Sequence, residues 1–133
     1  MEPKQRLVLA GVVALHLIVT IVHGSAHSGA AVAQGWPAMA FIFLVIIAGP
    51  LVGLAVMWLN PRGGARLIGI TMAASLLFGL INHFIIPGPD HVAHVAAAWR
   101  ALFGSTAVML VVTEAAGAAL GFAYGRSAER RLA

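Results

Sequence analysis

Four long apolar stretches take up most of this 133-residue chain and limit what it can fold into. They cover residues 7–23, 37–59, 67–86 and 101–124. A helix that spans a bilayer needs about 20 predominantly apolar residues, so each stretch can cross a membrane. Only 9% of the residues are charged, against roughly 25% in soluble globular domains. The sequence therefore predicts an all-α integral membrane protein that contacts the lipid bilayer.

Prolines mark the ends of these stretches. Trp36-Pro37 begins the second stretch and Pro87-Gly88-Pro89 ends the third, because proline is tolerated at a helix start and breaks a helix interior. Asp90 is placed to cap a short interfacial helix over about residues 90–100, which leads into the fourth stretch. We expect a single transmembrane domain, residues 1–133, folded as an up-down bundle of four helices.

The positively charged residues fall on one side of this predicted bundle. Of the eight Lys and Arg residues, only Arg100 lies on the other side. The remaining residues are Lys4, Arg6, Arg62, Arg66, Arg126, Arg130 and Arg131. Positively charged loops stay on the cytoplasmic side, which predicts cytoplasmic termini and a bacterial-type inner membrane location. Charge placed next to apolar stretches, with no exposed basic face, argues against nucleic-acid binding.

The histidines gather at the opposite end, which this orientation makes periplasmic. His23 lies 17 residues after Arg6, and His83 lies 17 residues after Arg66. At a rise of about 1.5 Å per residue, both imidazoles should lie about 25 Å from those arginines, at a shared depth. Asp90 and the remaining histidines of this end lie in or near the adjoining loops. They are His27, His91 and His94.

A polar stripe runs along the first helix. His16, Thr20, His23 and, if the helix continues beyond residue 23, His27 are spaced 4, 3 and 4 residues apart, which places them on one face of an α-helix. Imidazoles that face lipid are costly, so this face should point into the protein.

Imidazole is the commonest biological metal ligand, and the absence of cysteine restricts any metal to nitrogen and oxygen ligands. The pattern predicts a transition-metal site for Zn, Cu or Fe. The candidate ligands are His23, His83 and His94, with His27, His91 and Asp90 as further ligands or as partners of the ligands. A b-type haem with two of these histidines as axial ligands is the alternative cofactor.

Two further patterns lie deeper in the predicted bundle. His16 is ten residues from Arg6 and Glu114 is twelve residues from Arg126, so both should lie near the bilayer midplane. They form either a proton relay or a satisfied buried pair. Helix 4 also carries small residues at four-residue spacing, a helix-packing seam for a helix of this chain, a second copy or a larger membrane complex. They are Gly117, Gly121 and Gly125.

Several functions remain open from the sequence. A metal at the periplasmic face suits redox chemistry or metal handling, and a haem would suit electron transfer across a membrane. A small proton-coupled ion transporter could use the midplane pair, and a non-catalytic accessory subunit could use the glycine seam. The sequence contains no GxSxG nucleophile motif, and whether the protein is an enzyme stays open.

Overall fold

The computed structural model describes residues 1–126, and every regular element in that part of the chain is helical. Four helices are long and apolar enough to cross a membrane, which confirms the predicted number of spans. They are α1 (Pro3–Gly29), α2 (Trp36–Leu59), α3 (Pro61–Ile85) and α4 (Ala97–Arg126). Arg130 and Arg131, which entered the charge argument, lie outside the described residues.

The starts of α1 and α3 follow from local side-chain chemistry. The backbone nitrogen of Glu2 donates to the Gln5 side chain at 2.9 Å, and Pro3 occupies the first turn of α1. The Asn60 side chain accepts a hydrogen bond from the nitrogen of Gly63 at 3.0 Å, and Pro61 follows it. Proline has no N–H to leave unsatisfied at a helix start, and a capping side chain satisfies one of the free N–H groups.

Two segments of these helices are π-helical. Ile42–Ala48 lies just before Gly49-Pro50 in α2, and Ile81–Ile85 forms the last turn of α3. Pro50 cannot donate to the carbonyl of Ile46, and its ring would crowd that carbonyl in a regular α-helix. The wider π-helical turn accommodates the proline there.

The segment between α3 and α4 differs from the prediction. Residues 88–95 form turns and bends, and α4 begins at Ala97, so the helix expected over residues 90–100 is present only at its end. The backbone nitrogen of Val92 donates to the carbonyl of His83 at 3.0 Å, which folds the segment back onto α3. Asp90 is therefore not a helix cap, and its side chain turns towards the histidines.

Helix α4 packs closely against both α1 and α3, whereas α2 packs mainly against α3. The glycine seam lies in the contact between α4 and α3. A Cβ atom on Gly121 would lie 2.6 Å from the Gly69 nitrogen and 2.7 Å from the Ala65 carbonyl oxygen, and one on Gly117 would collide with Met72. The partner of the seam is thus a helix of the same chain, and the structure does not support an oligomer through this surface.

Candidate metal centre

Three imidazole rings meet where α1, α3 and α4 come together. The Nε2 atom of His23 lies 3.1 Å from Nε2 of His27 and 3.2 Å from Nε2 of His83. In a tetrahedral metal site with metal–nitrogen bonds of about 2.0–2.1 Å, neighbouring nitrogens are separated by about 3.3 Å. Among the described residues, these three histidines are the group whose ligand atoms all lie within 4.8 Å of one another.

Helix geometry places each of these rings. His23 and His27 are one turn apart on α1, where residues four apart are neighbours on the helix surface. His83 belongs to the π-helical end of α3. Phe103 of α4 is fully buried, and its ring centroid lies 4.7 Å from that of His23, 4.8 Å from that of His27 and 5.2 Å from that of His83. This aromatic side chain shields the cluster from water on one side.

The hydrogen bond from His23 to Thr106 determines where the His23 proton lies. The Thr106 hydroxyl donates its single proton to the backbone carbonyls of Leu102 at 2.7 Å and Phe103 at 3.0 Å. Its oxygen can therefore only accept from Nδ1 of His23, which lies 2.8 Å away. A neutral His23 then has its proton on Nδ1 and a free lone pair on Nε2.

A backbone carbonyl fixes the proton of His83 in a similar way. Its Nδ1 lies 3.1 Å from the backbone carbonyl oxygen of Asp90, which can only accept a hydrogen bond. A neutral His83 therefore also carries its proton on Nδ1. Two nitrogen lone pairs, those of His23 and His83, then face each other at 3.2 Å, and such an arrangement is stabilised by a positive charge between them.

Asp90 lies beside the imidazoles. Its Oδ1 atom is 3.3 Å from Nε2 of His27 and 3.3 Å from Nδ1 of His83. Burial alone would raise the pKa of the Asp90 carboxyl, but the adjacent His83 imidazole, followed by Gln34 and His27, outweighs burial and lowers this pKa below its ordinary value. Asp90 is thus an anion at neutral pH, and its charge offsets positive charge at the cluster.

Two predicted ligands lie outside the cluster. His94 is exposed, and its Nδ1 donates to the carbonyl of Gly88 at 2.8 Å. His91 accepts a hydrogen bond from the nitrogen of Ala93 at 3.2 Å, and its ring contacts the ring of His94. The turns at residues 88–95 hold both side chains in this arrangement, because no continuous helix carries them towards the other histidines.

His16 and Glu114 are in contact. Nε2 of His16 lies 3.3 Å from Oε1 of Glu114, and the two side chains are 0% and 3% exposed. Thr20 lies one turn along α1, with its hydroxyl 3.5 Å from the same His16 nitrogen. The second carboxyl oxygen of Glu114 has no hydrogen-bond partner in the described part of the chain.

The sequence did not indicate that Thr106 and Phe103 belong to the site. Thr106 precedes Glu114 by eight residues, close to two helical turns, so the two lie near the same face of α4. That spacing from an intramembrane carboxylate could have drawn attention to the threonine. No comparable signal marks Phe103, because an aromatic residue in an apolar helix is ordinary.

The Thr106 hydroxyl gives a direct test of how His23 is oriented. We expect Thr106→Val to weaken metal binding about 10- to 100-fold, because valine has a similar shape but cannot accept a hydrogen bond from Nδ1 of His23. Thr106→Ser keeps the hydroxyl and should retain most of the affinity. Zinc affinity measured by competition with a chelator checks both variants. Equal affinities for the valine and serine variants would contradict this assignment.

Comparisons with protein-family models, with curated proteins and with solved structures find no match to this chain.

Proposed function

We propose that this chain is an integral membrane metalloprotein that binds one first-row transition-metal ion through Nε2 of His23, His27 and His83. The observation that carries the proposal is the convergence of these nitrogens, two of which present lone pairs because their rings donate from Nδ1. A shared proton can bridge only one pair of the nitrogens. A metal ion bonds to all three, and the separations of 3.1 and 3.2 Å suit it.

The surroundings of the three nitrogens have the features of metal sites in other proteins. Ligating histidines usually donate their other ring N–H to a carboxylate, a carbonyl or another oxygen, which fixes the ring orientation. The Thr106 hydroxyl accepts this hydrogen bond from His23, and the backbone carbonyl of Asp90 accepts it from His83. The Asp90 carboxylate also supplies negative charge against a divalent cation in a largely apolar region.

Zn(II), Cu(II) and Fe(II) all accept imidazole ligands. Three protein ligands leave a fourth position in a tetrahedral site for water or a substrate, as in catalytic rather than structural zinc sites. Such an ion acts as a Lewis acid, lowers the pKa of a bound water or, for copper and iron, exchanges electrons. The site therefore suits metal-dependent chemistry or metal handling in the membrane.

A single ion fits this arrangement better than a b-type haem. Haem iron takes its axial protein ligands on opposite faces of a planar ring, with the ring between them. Here the rings of His23 and His83 are in edge contact, with centroids 4.9 Å apart, and His27 contacts His23 at 4.7 Å. These two contacts leave no slot for a porphyrin between the imidazoles.

The distribution of Lys and Arg residues supports the proposal that the metal site lies at the periplasmic face of an inner membrane, in an up-down bundle with cytoplasmic termini. In that orientation His16 and Glu114 lie nearer the midplane than the metal site. Their contact at 3.3 Å supports a role in proton transfer to or from the site.

Metal analysis of the purified protein tests the proposal. We expect full-length protein without a histidine tag to bind one equivalent of Zn(II) or Co(II). The Co(II) form should have the intense visible bands of tetrahedral coordination. A Soret band in the purified protein would overturn the proposal in favour of haem. Protein that binds none of zinc, cobalt, copper or iron would favour the accessory-subunit interpretation instead.

A further inference from the structure

A cavity of about 370 Å³ lies beside the imidazole cluster, between the four helices. His23, His27 and His83 border one part of it, and Glu114 borders another. Most of the remaining wall is apolar, with Ile46 and Leu110 among its residues. Small-molecule sites are usually concave and apolar with a few polar groups in defined positions, and their volumes run from about 300 to 1,000 Å³.

The cavity reaches the surface that faces lipid in a membrane. Ile21 of α1 and Phe43 of α2 both line it, and they are 73% and 56% exposed. Helix α1 packs only sparsely against residues 36–48 of α2, so the two helices leave an opening at this position. A molecule that enters here passes through the hydrocarbon of the bilayer, which selects a lipid-soluble ligand.

Glu114 supplies the polar recognition group inside the cavity. Its side chain is almost fully buried, Oε1 contacts His16, and Oε2 has no hydrogen-bond partner among residues 1–126. A buried carboxyl oxygen without a partner is costly, and a ligand hydroxyl would satisfy it. An aliphatic chain could not do so.

Gly79 lies beside both Glu114 and His83 in the cavity wall. A Cβ atom on Gly79 would lie 3.8 Å from Oε2 of Glu114 and 3.8 Å from Cδ2 of His83. The carboxyl oxygen and the His83 ring therefore both lie next to this glycine, which has no side chain to fill the space beside them. A ligand of one or two rings could contact the carboxyl group and still extend towards the imidazoles.

Both π-helical segments border the same cavity. Ile42, Phe43 and Ile46 come from the segment in α2, and His83 comes from the segment that ends α3. Single π-helical turns occur frequently at functional sites, because they redirect side chains that a regular α-helix would point elsewhere. Pro50 accounts for the segment in α2, so the segment that ends α3 and carries His83 is the separate indication of a ligand site here.

We propose that this cavity binds a small lipid-soluble molecule with a hydroxyl group on a compact ring system, a phenol of one or two rings. Its hydroxyl hydrogen-bonds to Oε2 of Glu114, and its ring occupies the apolar space beside Gly79 and extends towards His83. The inference deepens the proposed function and rests on it in one respect: the ligand is the molecule on which a metal bound by the imidazoles would act.

Matched probes test this binding in full-length protein reconstituted in lipid nanodiscs. 2-Naphthol and naphthalene differ by one hydroxyl group. Each affinity is calculated from the concentration of the probe in the lipid, which is measured with empty nanodiscs. We expect wild-type protein to bind 2-naphthol about 5- to 100-fold more tightly than naphthalene, because naphthalene leaves the buried carboxyl oxygen without a hydrogen-bond partner. Equal affinities for the two probes would overturn the proposal.

Variants separate the hydroxyl contact from the space for the ring. Glu114→Leu should abolish the preference for 2-naphthol, whereas Glu114→Gln retains a hydrogen-bonding group and should keep part of it.

Gly79→Leu fills the cavity and should abolish binding of both probes. Gly11→Leu is its matched control, because a Cβ atom on Gly11 meets nothing within 4 Å. If Gly79→Leu does not fold, Gly79→Ala should still weaken 2-naphthol binding several-fold. An unchanged preference in Glu114→Leu would contradict the proposed contact.

The same titrations are run on metal-free and zinc-loaded protein, so that the two proposals fail separately. Zinc binding without 2-naphthol binding would overturn the cavity inference and leave the metal site standing. 2-Naphthol selectivity without zinc binding would overturn the metal site and support the cavity ligand. A phospholipid that native mass spectrometry finds retained, and that 2-naphthol does not displace, would show an acyl chain in the cavity and overturn the inference.

Discussion

His23→Ala is expected to lower the affinity for Zn(II) by at least about 100-fold. Loss of a residue that merely orients a ligand typically costs 10- to 100-fold, and loss of the ligand itself should cost no less. Nε2 of His23 lies within 3.2 Å of the corresponding atoms of both His27 and His83, so its removal leaves only two of the three proposed ligands. Competition with a chelator of known affinity measures the change.

His94→Ala is the matched control for this prediction. His94 was an equal candidate by sequence, but it is exposed and contacts Gly88 rather than the cluster. The zinc affinity of His94→Ala should equal that of the unmodified protein, provided that His94→Ala and His23→Ala show the same helix content by circular dichroism. If His94→Ala lost zinc and His23→Ala retained it, the three-imidazole site would be wrong.

Gly121→Ala is expected to destabilise the protein by about 2–3 kcal/mol, the upper part of the usual range for overpacking. The added Cβ would lie 2.6 Å from the Gly69 nitrogen and 2.7 Å from the Ala65 carbonyl oxygen. These are backbone atoms of α3, which cannot rotate away as a side chain could. Helices α3 and α4 would have to separate along the contact that they share.

Two other glycines serve as controls for the Gly121 variant. Gly11→Ala adds a Cβ that meets nothing within 4 Å, and it should leave stability unchanged or raise it by up to about 1 kcal/mol, because alanine favours the helix. Gly117→Ala should fall between the two, since the group it meets is the flexible side chain of Met72. Unfolding by SDS titration in mixed micelles gives the three free energies. Equal effects at Gly11 and Gly121 would contradict the close contact of α3 and α4.

The predicted depth of the histidines depended only on helix geometry, and the structure brings together the two that were placed at one level. Counting 17 residues from Arg6 and from Arg66 gave His23 and His83 the same height, and their Nε2 atoms lie 3.2 Å apart. The stripe of His16, His23 and His27 on one face of α1 also points inward. A regular rise and a regular angular step hold wherever a helix is continuous.

Helix geometry could not show which of the histidines in or near the loops belong to the cluster. His94 and His27 were both candidates near the same end, and nothing in their spacing shows that the turns at residues 88–95 direct His94 away. The same turns bring the Asp90 side chain to the cluster, although the sequence predicted that Asp90 would cap a helix. Turns have no period, so the direction of their side chains depends on hydrogen bonds such as that from Val92 to the His83 carbonyl.

The amino-acid sequence by itself determined that four apolar helices form and that polar side chains must turn away from lipid, because hydrocarbon penalises unsatisfied polar groups whatever the fold. Only the tertiary structure decided which imidazoles meet, that Thr106 and the Asp90 carbonyl set their tautomers, and that a cavity joins them to Glu114. These features depend on how closely α1, α3 and α4 approach, and that approach is determined by the packing of glycines and side chains between helices distant in sequence.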